Sequence, residues 1–185
     1  AFARDDDALL ILHHINSTTN QVAALALERD CSDSRVKILS EHLPRRKYLS
    51  LLAASDCYVS LHRSEGLGLP MAEAMYLGKP VIATAYGGNM DFMTLNNSLL
   101  VKYKLVELER DYGPYEKRAV WAEPDIKHAS ELMRWAYENI DEAKAVGERG
   151  SEDVKQRMNP LMTSREIRAR LEQIYQMIKD WNPTP

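Results

Sequence analysis

The chain has 185 residues, of which 45% are hydrophobic and 28% charged, and its formal net charge is −3. This length and composition are typical of one folded domain and exclude a disordered chain, and the slightly acidic balance argues against nucleic acid as the main partner. The two cysteines are too few for a disulfide framework and favour a reducing compartment such as the cytoplasm, and no apolar stretch reaches the length of a membrane span.

Strand-like and helix-like segments alternate through the first half of the chain. The apolar run at residues 9–12 is typical of a strand buried on both faces, and the capping residues at 17–20 predict a helix that continues to about Arg29. The same reasoning predicts strands at 36–39, 57–61 and 79–84, with helices at 44–54 and 70–77 between them. Such alternation predicts an α/β fold with a parallel, doubly wound sheet and a ligand crevice at the carboxyl ends of its strands.

The second half of the chain follows a different pattern. Residues 102–122 are polar and predict an irregular excursion or a hairpin, with no role that the sequence defines. Apolar residues at helical spacing then predict helices from Pro124 to Ile140, at 141–158 and at 164–181. We therefore divide the chain into a core of residues 1–124 and C-terminal helices, residues 125–185, which pack on the same domain.

Two glutamates flank the most informative loop of the sequence, Glu65 within it and Glu73 in the helix that follows. Pro70 suits a first helical position, so Leu69 is the expected N-cap. Leucine has no side-chain oxygen, and the N–H groups of residues 71–73 are therefore expected to face water or a ligand, most naturally a phosphate. Gly66 and Gly68 allow the backbone to come close to such a ligand.

The glutamates themselves are expected to bind a different chemical group. Carboxylates repel phosphate, so Glu65 and Glu73 should accept hydrogen bonds from the hydroxyls of a ribose or a hexose. Alternatively, Glu73 complements a helix N-terminus and Glu65 is a solvated loop residue, and the spacing alone does not decide between the two interpretations. The predicted crevice favours the site, because this loop, the turn at 86–89 and the loop at 40–44 all leave strands at the same edge.

An ordered series of motifs in the chain resembles the signature of the family-4 retaining glycosyltransferases. It consists of EGLGLPMAEAM at 65–75, GKPVIAT at 78–84 and Gly87-Gly88, and it extends to residues 55–59, 97–101 and 122–125. The resemblance implies the GT-B fold, in which two Rossmann-like domains face a cleft and the C-terminal one holds the nucleotide-sugar donor. This chain resembles that C-terminal domain, without its first strand–helix unit and without the N-terminal acceptor domain.

The resemblance also implies a role for each candidate residue. Glu73 would hold the ribose hydroxyls, and Glu65, the expected catalytic residue, would orient the donor sugar near its reacting carbon. The backbone N–H groups of the glycine loop would face the sugar and the diphosphate. The other expected donor-site residues are the loop positions Gly66, Leu67, Gly68 and Leu69, the crevice residues His62 and Arg63, Gly87 and Gly88 on the far side, and Leu43 beside the base.

No cofactor or metal ion is expected. The sequence has no Asp-x-Asp pair, and His13 and His14 are adjacent in a strand, so they point to opposite faces and do not share a metal. In the family an acceptor attacks the anomeric carbon with retention, and catalysis consists largely of positioning the sugar and stabilising the departing phosphate.

The resemblance leads to a specific expectation of function. The chain is predicted to bind a nucleoside-diphosphate hexose for transfer to a glycan, lipid or polysaccharide precursor, and to be inactive alone because the family's diphosphate-binding arginine and lysine lie in the first strand and helix. The longer protein would contact the inner membrane face peripherally. Two alternatives stay open: a non-catalytic GT-B-like nucleotide or interaction module, and an epimerase-like GT-B enzyme.

Overall fold

The chain divides into two units, Ala1–Leu51 and Leu52–Pro185. Their structure is a computed structural model that describes residues 1–15, 21–31, 33–113 and 115–181. The predicted helix caps at 17–20 lie outside the described residues. The proposed division into residues 1–124 and 125–185 stays a prediction.

The first unit contains two parallel strands and the helices that follow them. Strand β1 (Leu10–His13) pairs with β2 (Val36–Leu39) from Leu10 opposite Val36 to His13 opposite Leu39. Helix α1 (Gln21–Asp30) lies between them in sequence, and α2 (Arg45–Ala54) begins in this unit and ends in the second. These elements confirm the predicted strand–helix alternation.

The expected burial of the first strand is wrong. Leu9, Leu10 and Ile11 are exposed, and so are Val22 and Leu25 of α1. A continuous apolar run predicts a strand with two covered faces, but within the described part of the first unit no layer covers both faces of β1. The strand forms because the backbone ladder with β2 requires no such cover.

The second unit contains a three-stranded parallel sheet. Strands β3 (Tyr58–Ser60), β4 (Val81–Thr84) and β5 (Leu99–Val101) pair in the order β3-β4-β5, and helix α3 (Leu69–Tyr76) connects β3 to β4. All four residues of β4 are buried, as expected for a central strand covered on both faces. One cluster of the core comprises Met71, Ala72, Ala74, Met75, Val81, Ala83, Phe92, Met93 and Val154.

A hairpin and three helices complete the second unit. Strands β6 (Tyr103–Glu107) and β7 (Val120–Pro124) pair antiparallel, so the hairpin alternative for residues 102–122 is correct. Helices α4 (Ile126–Glu138), α5 (Ile140–Arg157) and α6 (Pro160–Asp180) follow, and α5 packs against α3. No helix in the described ranges combines the length and the apolar character that crossing a membrane requires.

Candidate functional site

The helix after the glutamate loop begins one residue earlier than predicted. Helix α3 starts at Leu69, and its N-cap is Gly68, which has a φ of 84°. Glycine adopts this left-handed conformation without the penalty of a Cβ, so the chain enters the helix here and Leu69 is not the N-cap. The N–H of Ala72 donates to Gly68 O at 3.0 Å. The prediction that this N–H faces water or a ligand is therefore wrong. Gly68 has no side chain that could cap this helix start.

The glutamate loop is joined to the turn after β4. The N–H of Gly88 donates to Glu65 O at 3.2 Å, and a Cβ at Gly88 would overlap Gly66 O. His62 adds a second link, because its Nε2 donates to Tyr86 O at 2.8 Å. Loops that leave neighbouring parallel strands at one edge of the sheet therefore touch each other, as the sequence predicted for these two.

Asn89 lies beneath this junction and was not identified from the sequence. It is fully buried, and its Nδ2 donates to Thr84 O at 3.0 Å. A Cβ added at Gly68 would lie 3.3 Å from Asn89 Cβ, which places this side chain against the glycine loop. The Oδ1 of Asn89 and the Oγ1 of Thr84 are buried and have no hydrogen-bond partner within the part of the chain that the structure describes. An asparagine directly after two glycines was the available sequence signal.

Both predicted carboxylates influence the pKa of the same tyrosine, Tyr58. Burial raises the pKa of Tyr58, and the negative charges of Glu65 and Glu73 raise it further. Glu65 also accepts a hydrogen bond from Gly66 N–H at its Oε1, at 3.1 Å. The two glutamates therefore lie near the same half-buried aromatic side chain, which the sequence had identified as a strand residue without a role in the site.

Arg63 is paired within the chain. Its Nε lies 2.6 Å from Glu123 Oε2 and its Nη2 lies 2.7 Å from Glu123 Oε1, and its guanidinium carbon lies 5.1 Å from the centre of the Trp121 ring. The hydrogen bonds between them raise the pKa of Arg63 and lower that of Glu123. Both groups are thus charged at neutral pH. The positive charge of Arg63, which was predicted to face the donor, is balanced by the carboxylate of Glu123 in the hairpin.

The remaining predicted residues differ in their surroundings. His62 uses both ring nitrogens, since Nε2 donates to a carbonyl and Nδ1 lies 3.2 Å from Ser60 Oγ. The side chains of Leu67 and Leu69 are exposed. Leu43 belongs to the first unit and is half-buried there. The described ranges contain no group of three or more His, Cys, Asp or Glu residues placed to hold a metal ion. The ligand-binding roles of all these residues stay predictions.

Solved structures share the fold of the chain. A structure of Anabaena Alr3699/HepE in complex with UDP and glucose matches with a TM-score of 0.67 and 20% sequence identity, over 89% of this chain and 40% of that one. Sucrose-phosphate synthase from Thermosynechococcus elongatus matches with a TM-score of 0.66 and 19% identity, over 91% of this chain and 39% of that one. These matches confirm the Rossmann-like α/β fold, and the chain spans about two fifths of the length of either protein.

The sequence itself identifies the family. No curated protein matches the chain. The family described as "Glycosyl transferases group 1" matches residues 20–153, which include the glutamate loop, the Gly87-Gly88 turn and the hairpin. This range is more than half of the chain, and it confirms the resemblance seen in the sequence. The chain belongs to the group 1 glycosyl transferases.

Proposed function

We propose that the chain is the donor-binding domain of a retaining glycosyltransferase and that it binds a nucleoside-diphosphate hexose. Its family and its likeness to a protein solved with UDP and glucose support this proposal. The observation that carries it is the joined pair of loops: Gly88 N–H donates to Glu65 O, so the catalytic candidate, the glycine loop and the start of α3 form one surface.

The two glutamates and the helix start divide the recognition of the donor between them. Glu73 accepts hydrogen bonds from the ribose hydroxyls, and Glu65 accepts from hydroxyls of the hexose. The uncapped start of α3 and the glycine loop offer backbone N–H groups to the sugar and the diphosphate. This arrangement keeps both carboxylates on neutral hydroxyls and away from the phosphates.

The transfer needs charge stabilisation that Arg63 does not supply. As the bond between sugar and phosphate breaks, positive charge grows on the sugar ring and negative charge on the leaving phosphate. Arg63 is neutralised by Glu123, so it does not offer a free positive charge to that phosphate. We infer that the acceptor-binding domain and the cations for the diphosphate belong to the part of the longer protein outside these 185 residues.

Isothermal titration calorimetry tests the donor site. We expect the chain to bind at least one of UDP, GDP, ADP and UDP-glucose, and we expect Glu73→Ala to weaken that binding by roughly 1–3 kcal/mol, the value of a hydrogen bond to a charged group. Glu142→Ala is the matched control, because Glu142 is an exposed glutamate in the first turn of another helix, α5. Repeating the titration with EDTA tests the expectation that no metal ion is needed.

Two results would contradict the proposal. The first is the absence of binding to every nucleoside diphosphate and to UDP-glucose. The second is binding that Glu73→Ala and Glu142→Ala change by the same amount, because the loss of a negative charge anywhere on the chain would then explain the effect.

A further inference from the structure

The start of the glutamate loop is held by contacts from two distant parts of the second unit. On one side Gly88 N–H donates to Glu65 O at 3.2 Å. On the other side Ala122 N–H, in strand β7, donates to Arg63 O at 2.9 Å, two residues before Glu65. Immediately after these two points, Gly66 has no atom within 4 Å of the position where a Cβ would stand. The conformation of the loop therefore depends on how firmly its start is held.

The side chain of Arg63 strengthens the contact between the start of the glutamate loop and the hairpin. Its Nε and Nη2 meet the two carboxylate oxygens of Glu123 at 2.6 and 2.7 Å, a bidentate geometry that fixes the plane of the guanidinium. Trp121, on the same strand, lies against that plane, with the guanidinium carbon 5.1 Å from its ring centre. Arg63 is therefore restrained in both position and orientation.

Trp121 is itself supported by the tip of the hairpin. The ring of Tyr112 lies 5.2 Å from the Trp121 ring, and the ring of Tyr115 lies 6.1 Å from it at an interplanar angle of 74°. Aromatic pairs at these separations attract each other beyond the simple burial of their area. The hairpin thus holds Arg63 through successive contacts: Tyr112 and Tyr115 at its tip pack on Trp121, and Trp121 packs on Arg63.

The ion pair is too exposed to contribute much to overall stability. The Arg63 side chain is 49% exposed and that of Glu123 is 39% exposed, and solvent screens ion pairs at such sites strongly. A geometrically exact but weakly stabilising pair is better suited to orienting a segment than to holding the domain together. The segment that it orients is the one that leads into Glu65.

We propose that Glu123 is a positioning residue that, through Arg63, fixes the glutamate loop in its ligand-binding conformation. The inference rests on the proposed donor site, because the benefit of a fixed loop is tighter binding of the nucleotide sugar. In this proposal Glu123 acts on the donor only through Arg63. The sequence defined no role for the hairpin, and this proposal gives it one: it supports the donor site.

Amide hydrogen exchange of the ligand-free chain, followed by mass spectrometry, tests the positioning directly. In Glu123→Ala we expect exchange of the amides at 64–68 to become about fivefold faster, the effect of losing one partly exposed ion pair, while exchange in β4 and α5 stays unchanged. Glu107→Ala is the matched control, because Glu107 is an exposed glutamate in the other strand of the same hairpin. The reversed pair, Arg63→Glu with Glu123→Arg, should restore slow exchange.

Binding of whichever of UDP-glucose, UDP, GDP and ADP the unmodified chain binds most tightly, measured on the same variants, completes the test. We expect Glu123→Ala to weaken binding and the reversed pair to recover it in part. Unchanged exchange at 64–68, equal acceleration of exchange throughout the second unit, or a faster loop with unchanged affinity would each overturn the positioning role. Failure of the unmodified chain to bind any of UDP-glucose, UDP, GDP and ADP would instead overturn the donor site and leave the exchange result as a statement about the loop alone.

Discussion

The core around α3 and the terminal helix α6 contain similar apolar side chains in very different surroundings. In the core, Met71 and Met75 are buried beside Phe92 and Val154. In α6 no residue is buried, and Ile167, Leu171, Ile174 and Ile178 form an exposed stripe at helical spacing. The first unit resembles α6, since Val22 and Leu25 of α1 are exposed as well.

This difference teaches what an apolar pattern does and does not specify. A period of 3.6 residues determines which side chains share one face of a helix. Whether that face is buried depends on a second surface, which α3 finds in β4 and α5 and which α6 does not find among the described residues. Local structure follows from the pattern alone, whereas stability follows from the packing.

The largest contrast is expected in the reactivity of the two cysteines. Burial raises the pKa of the Cys57 thiol to about 12, although both Cys57 and Cys31 are half-buried side chains. Because the thiolate is the reactive form, Ellman's reagent at pH 8 should modify Cys57 about a hundredfold or more slowly than Cys31. Cys31→Ser should remove the fast phase, and urea should make the two thiols equivalent. Equal rates in the folded chain would contradict the raised pKa of Cys57.

Two methionines measure the contrast in packing directly. Met75 is 0% exposed and Met177, in α6, is 66% exposed. We expect Met75→Ala to lower the free energy of unfolding by about 3 kcal/mol through lost burial and a residual cavity. Met177→Ala should change it by less than about 0.5 kcal/mol, as exposed substitutions usually do. Urea unfolding of both variants gives the comparison, and a large effect of Met177→Ala would mean that α6 is packed in solution.

The smallest of the three effects concerns the junction of the loops. A Cβ at Gly88 would overlap Gly66 O, so Gly88→Ala must separate the turn from the glutamate loop. Overpacking of this kind costs about 2 kcal/mol of stability. Gly66→Ala is the control, because a Cβ there meets nothing within 4 Å. Thermal unfolding of both should show a lower midpoint for Gly88→Ala, and equal midpoints would mean that the two loops are not in contact.

Sequence reasoning located most of the secondary structure because its signals are local. Strand β2 was predicted at its observed residues, and α2, α3 and β4 were predicted within two residues of their observed starts. The start of α3 was misplaced because proline is tolerated at the first two helical positions and the deciding feature was the positive φ of Gly68. The burial of β1 was overestimated because an apolar run does not show whether its partner layer is present.

The candidate site was predicted only as far as local motifs reach. The glutamates, the glycines and the junction with the Gly87-Gly88 turn followed from spacing, strand topology and the family resemblance. Tyr58, Asn89 and Glu123 were missed as parts of the site, because each acts through a contact with another element of the second unit. Pairing between distant residues, such as that of Arg63 with Glu123, leaves no signal in a single sequence.

The separation of Arg63 and Glu123 also sets the order in which the site can form. The two residues are 60 positions apart, so their pairing closes a long loop of chain. During synthesis from the N-terminus, Glu65 and Glu73 emerge well before strand β7. The glutamate loop is therefore complete in sequence before its support exists, and it cannot reach its final conformation until β7 has been synthesised.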